Sequence, residues 1–437
     1  MSRLLRWAPV RLGALVILLV GMAACSSGPQ LQENPEDYRA EVARLQREIA
    51  DNPGDAEPLR DLGAIYVRTQ RPAEGYEYLQ QAFKRDRDDP KTLFYLGVAS
   101  EKVGQMQTAR RVYERYDEVD EDSRYRNLLR GRYEWLLRQQ IRQEIQQMVQ
   151  REQELAGGDV SPRIVAVLPL SYQGSDAQYA PLGRGLSEMI SVDLAHIDDL
   201  RLVERVRLQE LLDELELAQS DYVDPSTAPR VGRMLGAGRL IGGAYNVLDE
   251  QNLRLDVALA ELERDTVAPD LESRSGALAQ LFELQTEIVF RVIERLGIEL
   301  TAEERAAIQY VPTENLQAFL AYSRGLLEED EGNFEAAANA FQRARELDPG
   351  FERAVESEQR AEGLSAVAGP LDTALGAAVQ LEPLPPTINL VDSRLRSLTG
   401  TIGAGFVPGQ EQRQPAAEGG TFITLDDPPP PPPRGNQ

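Results

Sequence analysis

The chain has 437 residues, room for two or three domains of about 150 residues, each able to bury a core. It carries 71 acidic against 47 basic residues, a formal charge of −24, which excludes a protein that neutralises a nucleic-acid backbone. A single Cys and a single His leave zinc sites, intrachain disulfides and Cys–His nucleophile pairs without partners, so no catalytic residue, metal or cofactor is expected.

Arg3, Arg6 and Arg11 lead into an apolar run over residues 12–20, followed by Gly21, Met22, Ala23, Ala24 and Cys25. The run is too short to cross about 30 Å of hydrocarbon comfortably, and with its basic flank it reads as a secretory signal over residues 1–24 that is removed. Met22-Ala23-Ala24-Cys25 resembles the lipobox of bacterial lipoproteins, with Met where Leu is usual. That resemblance implies lipid attachment at Cys25 and hence a membrane partner; an ordinary secretory signal or anchor is the alternative. By resemblance to enterobacterial lipoproteins, Ser26 in place of Asp implies the outer membrane, with the chain facing the periplasm.

After a polar tether over residues 25–36, the region 37–122 repeats itself. Leu59, Leu62 and Gly63 recur as Leu93, Leu96 and Gly97, a shift of 34 residues, and Gly75, Leu79 and Ala82 map by the same shift onto Ala109, Tyr113 and Tyr116. This period predicts two helix pairs. A third unit lies at 315–362, where Gly325, Ala337, Phe341 and Ala344 keep the spacings of Gly97, Ala109, Tyr113 and Tyr116. Gly and Ala let paired helices approach, bulkier residues fill the space between them, and Gly104 and Gly332 close the turns. The pattern resembles the tetratricopeptide family, although no Trp stands at the first signature position. The resemblance implies protein binding through the repeats, with Leu62, Gly63, Tyr66, Leu96, Gly97, Ala109, Tyr113, Gly325, Ala337, Phe341 and Ala344 as candidate site residues. A lone repeat cannot bury both faces, so the third unit should lean on a neighbouring domain, a following helix or another subunit.

Residues 123–158 predict one long helix, with Leu129, Tyr133, Leu137, Ile141, Ile145 and Met148 at steps of three and four. A helix packed on the repeats and a coiled-coil seam both fit, Gln140 and Glu144 interrupting a strict heptad.

The region 159–302 reads as an α/β domain with a mixed sheet. Residues 164–169 form a buried-type strand, 182–197 a helix with Leu186, Met189, Ile190 and Leu194 on one face, and 200–203 a short strand. Leu208, Leu211, Leu212 and Leu215 mark a second helix, and a third starts after Thr227 and stops at Gly236. Residues 239–248 and 253–262 predict a hairpin, the second arm alternating Leu253, Leu255, Val257 and Leu259 with Arg254, Asp256, Ala258 and Ala260. An amphipathic helix over 281–296 follows.

The strand at 164–170, the stretch from Leu182 to Glu188, Leu202-Val203-Glu204-Arg205, the stretch from Leu211 to Leu215, and Leu235-Gly236-Ala237 leading to Gly242-Gly243-Ala244-Tyr245 resemble the CsgG/HfaB curli-assembly family and the related FlgO and TolB-amino-terminal-like domains. The resemblance implies a lipid-anchored periplasmic protein of export or envelope assembly, ring-forming in the pore branch. Subunits of that branch supply two membrane hairpins with spanning strands of about 9 to 11 residues. Only one hairpin here is that long, and its apolar face suits a sheet covering its own helices as well as it suits lipid.

From 363 to 437 the chain is rich in Gly, Pro and Ala, ending in a proline run at 428–433, and is expected to be largely disordered apart from an apolar interlude at 390–406. Known chemistries find little purchase. Lys84, Lys91 and Lys102 are the only lysines and none follows a Gly-rich phosphate loop. Gly236-Ala237-Gly238 leads into a strand where a dinucleotide turn needs a helix. Asp117, Asp120 and Asp122 lack the Gly and the closing Glu of a calcium loop. His196, near Asp193, Asp198 and Asp199, reads as a charge-favoured helix end. The expected function is therefore a non-catalytic, outer-membrane-anchored lipoprotein that holds periplasmic or outer-membrane proteins during envelope assembly or secretion. The alternative is a subunit of an oligomeric secretion channel.

Overall fold

The computed structural model describes residues 38–152, 160–217, 227–248, 251–262 and 272–382. The chain enters through α1 (Arg39–Asp51) and continues as two antiparallel pairs, α2 (Glu57–Arg68) with α3 (Pro72–Arg85) and α4 (Pro90–Lys102) with α5 (Met106–Tyr113). Pro58, Pro72 and Pro90 occupy first-turn positions, where the missing N–H costs nothing. Asp89 caps α4 by accepting the Thr92 N–H at 2.8 Å. Gly104, at φ +81°, makes the turn between α4 and α5.

The long helix α6 (Arg124–Gln150) has 27 residues and is about 40 Å long. It serves both halves of the molecule. Leu128 and Leu129 pack into the core of the helix pairs, whereas Ile141 and Ile145 pack onto the sheet. This helix is a shared wall, which goes beyond both expectations held for it.

The sheet contains β1 (Ser161–Val167), β2 (Ser171–Tyr172), β3 (Arg201–Leu202), β4 (Ala237–Leu248), β5 (Asn252–Glu261) and β6 (Glu272–Ala277). Its order is β3-β1-β4-β5-β6, with β2 paired to β4. β1 runs parallel to β3 and β4, and β4-β5-β6 is an antiparallel meander. Between the strands run α7 (Leu182–Ala195), α8 (Arg205–Glu214), α9 (Ala228–Leu235) and, after β6, α10 (Leu281–Leu296). Val165, Val167, Ile241, Leu253, Leu255 and Val257 point to the layer of α7 and α10. Ala166, Leu168, Leu240 and Ala260 point to the layer of α8, α9 and the second half of α6. Period-two alternation thus builds a three-layer sandwich with the core on both sheet faces. Gly236 and Gly297, at φ +66° and +68°, end α9 and α10.

The chain returns to helices with α11 (Ala302–Ile308), opened by a Thr301/Glu304 capping box, then α12 (Leu316–Asp330) and α13 (Phe334–Leu347). Asn315 caps α12 by accepting the Gln317 and Ala318 N–H groups at 3.0 and 3.2 Å. The third unit leans on two neighbours: a Cβ on Gly185 of α7 would lie 2.8 Å from the Phe319 ring, and Arg345 of α13 bonds Glu358 at 2.9 Å. Glu358 belongs to α14 (Glu352–Val367), which is followed by α15 (Leu371–Leu381).

These last helices correct the expectation of disorder from residue 363. Residues 363–367 complete α14 and 371–381 form α15, and both send apolar residues into the core: Leu364, Val367, Ala374 and Ala378 are fully buried. Small residues at helical spacing, Ala374 and Ala378, pack closely there, and composition alone misread them as low complexity. The interlude at 390–406 and the proline run lie outside the described residues, as does Cys25. The strands β2 and β6 were also missed, the first because it has two residues and the second because Ser273, Ser275 and Gly276 carry no strand signal.

Candidate functional site

In an open sheet where one strand is flanked in parallel by its two successors, ligands enter the crevice at the strands' carboxyl ends. β1 between β3 and β4 is such a point, and the N-terminus of α7 faces it. On the β4 side the protein fills the crevice itself, while on the β3 side a narrow cleft remains, lined by Val167, Pro169, Arg184, Ser187, Val203 and Arg205. After β1 the chain continues as β2, pairing Ser171 and Tyr172 with Ala244 and Tyr245 of β4. The Tyr245 hydroxyl accepts the Gly183 N–H of α7 at 3.0 Å and faces the carbonyls of Tyr179 and Ala180 at 2.7 and 2.8 Å, donating to them. Burial holds that phenol protonated, its pKa pushed up. Ser187 Oγ accepts the Leu170 N–H at 3.0 Å. A Cβ on Gly183 would meet the Leu170 carbonyl, so even a methyl group lacks room. The helix N-terminus that would hold an anion in a nucleotide-binding sheet is spent on a tyrosine hydroxyl.

A second feature joins the sandwich to the helices. Glu329, at the end of α12, is 0% exposed and accepts from Arg138 of α6 at 2.6 Å, Arg205 of α8 at 2.7 Å and Arg360 of α14 at 3.1 Å. Asp330 beside it pairs with Arg205 and with Arg184 of α7. Burial alone would raise the Glu329 pKa, but Arg360, Arg205 and Arg138 outweigh it and hold the carboxyl well below its ordinary range. Five helices are thereby tied at one charged knot. Sequence reasoning passed over it, although Glu329 continues the line Phe319, Tyr322, Leu326 on the apolar face of α12, a position where an acid is costly unless paired.

The repeat residues named as candidates lie inside. Leu62, Ala109, Tyr113, Ala337, Phe341 and Ala344 are fully buried, and Gly63, Gly97, Gly325, Tyr66 and Leu96 are buried. Gly97 receives the Tyr113 ring and Gly325 the Phe341 ring, each at a place where a Cβ would overlap it. These residues hold helix to helix, with little of their surface left outside the repeat. The signature that reveals a repeat is its packing set, and packing sets are hidden by construction.

His196 lines a narrow cleft between α7 and α12 together with Asp193, Glu188, Tyr322 and Arg353; the space holds about 30 Å³, one water's worth. Asp193 is buried and accepts from Gln285 Nε2 at 2.7 Å. Burial lifts its pKa to about 6 against the opposing pull of Gln285 and Arg353. Among the described residues no group of three His, Cys, Asp or Glu side chains is placed to hold a metal ion. Among the same residues no single helix is long and apolar enough to cross a membrane. The hairpin face weighed for lipid contact is covered: Tyr245, Leu253, Leu255 and Val257 are at most 1% exposed, packed against α7 and α10.

The fold and site define a three-layer α/β domain whose crevice is occupied by Tyr245 on the β4 side, set in a frame of helix pairs. Residues 143–254, from the second half of α6 to the start of β5, match the family model described as curli production assembly/transport component CsgG. The chain therefore contains a CsgG-like domain. That α6 enters the match agrees with Ile145 sitting in the core beneath the sheet. No curated protein matches the chain.

Proposed function

We propose that the chain is a non-catalytic scaffold of the cell envelope, lipid-anchored through Cys25 to the periplasmic face of the outer membrane, which holds protein partners during envelope assembly or secretion. The observation that carries this reading is the Tyr245 hydroxyl seated on the α7 N-terminus, where an α/β enzyme would bind its ligand. The CsgG-like match supports an assembly or transport setting, and the fused helix pairs supply additional surface. Affinity capture with the acylated full-length chain from detergent-solubilised envelopes tests it: co-purifying periplasmic or outer-membrane proteins are expected, and recovery of none overturns the reading.

The family description also favours the second reading, an oligomeric channel subunit. Planar-bilayer recording on the purified oligomer separates the two, since a scaffold gives no conductance steps and a channel does.

A further inference from the structure

We propose that the cleft on the β3 side of β1 receives the carboxyl terminus of a partner polypeptide, its carboxylate on Arg184 and its last amide N–H on Gln209. This rests on the scaffold reading, because it names how a partner chain is held.

Two unsatisfied groups line this cleft. Arg184, in the first turn of α7, is 9% exposed, and its Nε finds no hydrogen-bond partner among the described residues. Asp330 Oδ2 lies 3.3 Å away but out of line, and it too lacks a hydrogen bond, while Arg205 bonds the other oxygen of that carboxylate. A guanidinium offers five N–H donors in a planar fork, and burying such donors unused is costly. Gln209 of α8 has the opposite need. Its Nε2 donates to Asp213 at 2.6 Å, which fixes the orientation of the amide. The Oε1 on its other side is buried and receives no hydrogen bond from the described residues.

A ligand that answers both must bring an oxyanion and an N–H donor close together. The last residue of a polypeptide does so: its planar carboxylate pairs with a guanidinium through two parallel bonds, and its amide N–H is one carbon away. The space holds about 20 Å³, enough for one small group and too little for a whole metabolite, so the end of a longer chain is the matching shape. Val167, Pro169, Val203 and Leu208 offer apolar contact to a small terminal side chain. Glu204 gives the N-terminus of α8, a helix of ten residues, no side-chain cap, so its dipole adds to Arg184 and Arg205 against the facing carboxylates of Glu188 and Asp330. The place also suits a ligand: it is the carboxyl end of the parallel pair β1 and β3.

The test uses the full-length chain and a pool of pentapeptides randomised at the last two positions, half ending in a free carboxylate and half in a carboxamide. Affinity selection should retain the free acids at least about tenfold over the carboxamides, because a charge-assisted bond is lost in the latter. Acetate at equal concentration, which has no N–H to offer Gln209, should not displace them. Arg184→Lys keeps a cation beside Asp330 but loses the fork, and should weaken retention of the acids at least about tenfold. Gln209→Leu, on the half-exposed face of α8, should also weaken it while leaving the preference for acids over carboxamides. Equal retention of acids and carboxamides, retention of neither, displacement by acetate, or unchanged retention by Arg184→Lys overturns the proposal. Failure here leaves the envelope capture experiment unaffected, since partners held elsewhere on the chain are still recovered, and a failed capture leaves the peptide measurement standing.

Discussion

Gly131 of α6 and Gly363 of α14 meet backbone to backbone. A Cβ on Gly131 would overlap the Gly363 carbonyl group and lie 2.9 Å from its Cα, and one on Gly363 would come within 2.6 Å of the Asn127 carbonyl oxygen. Backbone atoms cannot swing aside as a side chain can, so the two helices would have to separate. Gly131→Ala or Gly363→Ala should each cost about 1–3 kcal/mol in urea unfolding. The double variant should cost less than the sum, because one separation accommodates both methyl groups.

A buried ion pair lies close to this contact. Arg132, 4% exposed, binds Glu101 through two bonds of 2.8 Å and donates to the carbonyls of Val367 and Gly369 at 2.9 Å. Tyr113 donates to the same carboxylate at 2.9 Å. Arg132→Met strands Glu101 in the interior and should destabilise the chain by about 3–5 kcal/mol. Adding Glu101→Gln should restore part of the loss, measured in the same denaturation series.

The knot at Glu329 predicts a dependence on acidity. Its folded-state pKa is depressed, so its stabilisation is complete above the ordinary value of 4.5 and is lost as pH falls below that value toward the folded one. Glu329→Gln should cost about 3–5 kcal/mol at neutral pH, because three guanidiniums lose a buried partner. The variant should also show a shallower loss of stability below pH 4.5 than the unaltered chain.

Asp193 has the opposite sign. Its folded-state pKa is raised from 3.8 to about 6, so folding is favoured while it is protonated and stability declines as pH rises between those values. Asp193→Asn keeps an oxygen to accept from Gln285 and should remove that decline. At neutral pH the variant should be more stable by about 1–3 kcal/mol, read from thermal unfolding across the range.

Much of this architecture was legible in the chain. The 34-residue shift located the helix pairs because Gly and Ala at fixed spacing have one packing use, and period two located β4 and β5 because their faces alternate from core to core. Three things were hidden. α15 was obscured by composition, since Gly376, Ala377 and Ala378 look alike in a linker and in a close helix contact. The Glu329 knot needs Arg138, Arg205 and Arg360 brought together from three separate helices, and no local pattern announces that convergence. The seat of Tyr245 on α7 lies beside β2, a two-residue strand too short to leave a periodic signal.

Metabolic labelling with a palmitate analogue, followed by separation of inner and outer membranes, tests whether the chain is an acylated outer-membrane scaffold. Label is expected on the full-length chain in the outer-membrane fraction, with loss of both label and membrane association for Cys25→Ser. An unlabelled chain, or label that survives Cys25→Ser, would contradict it.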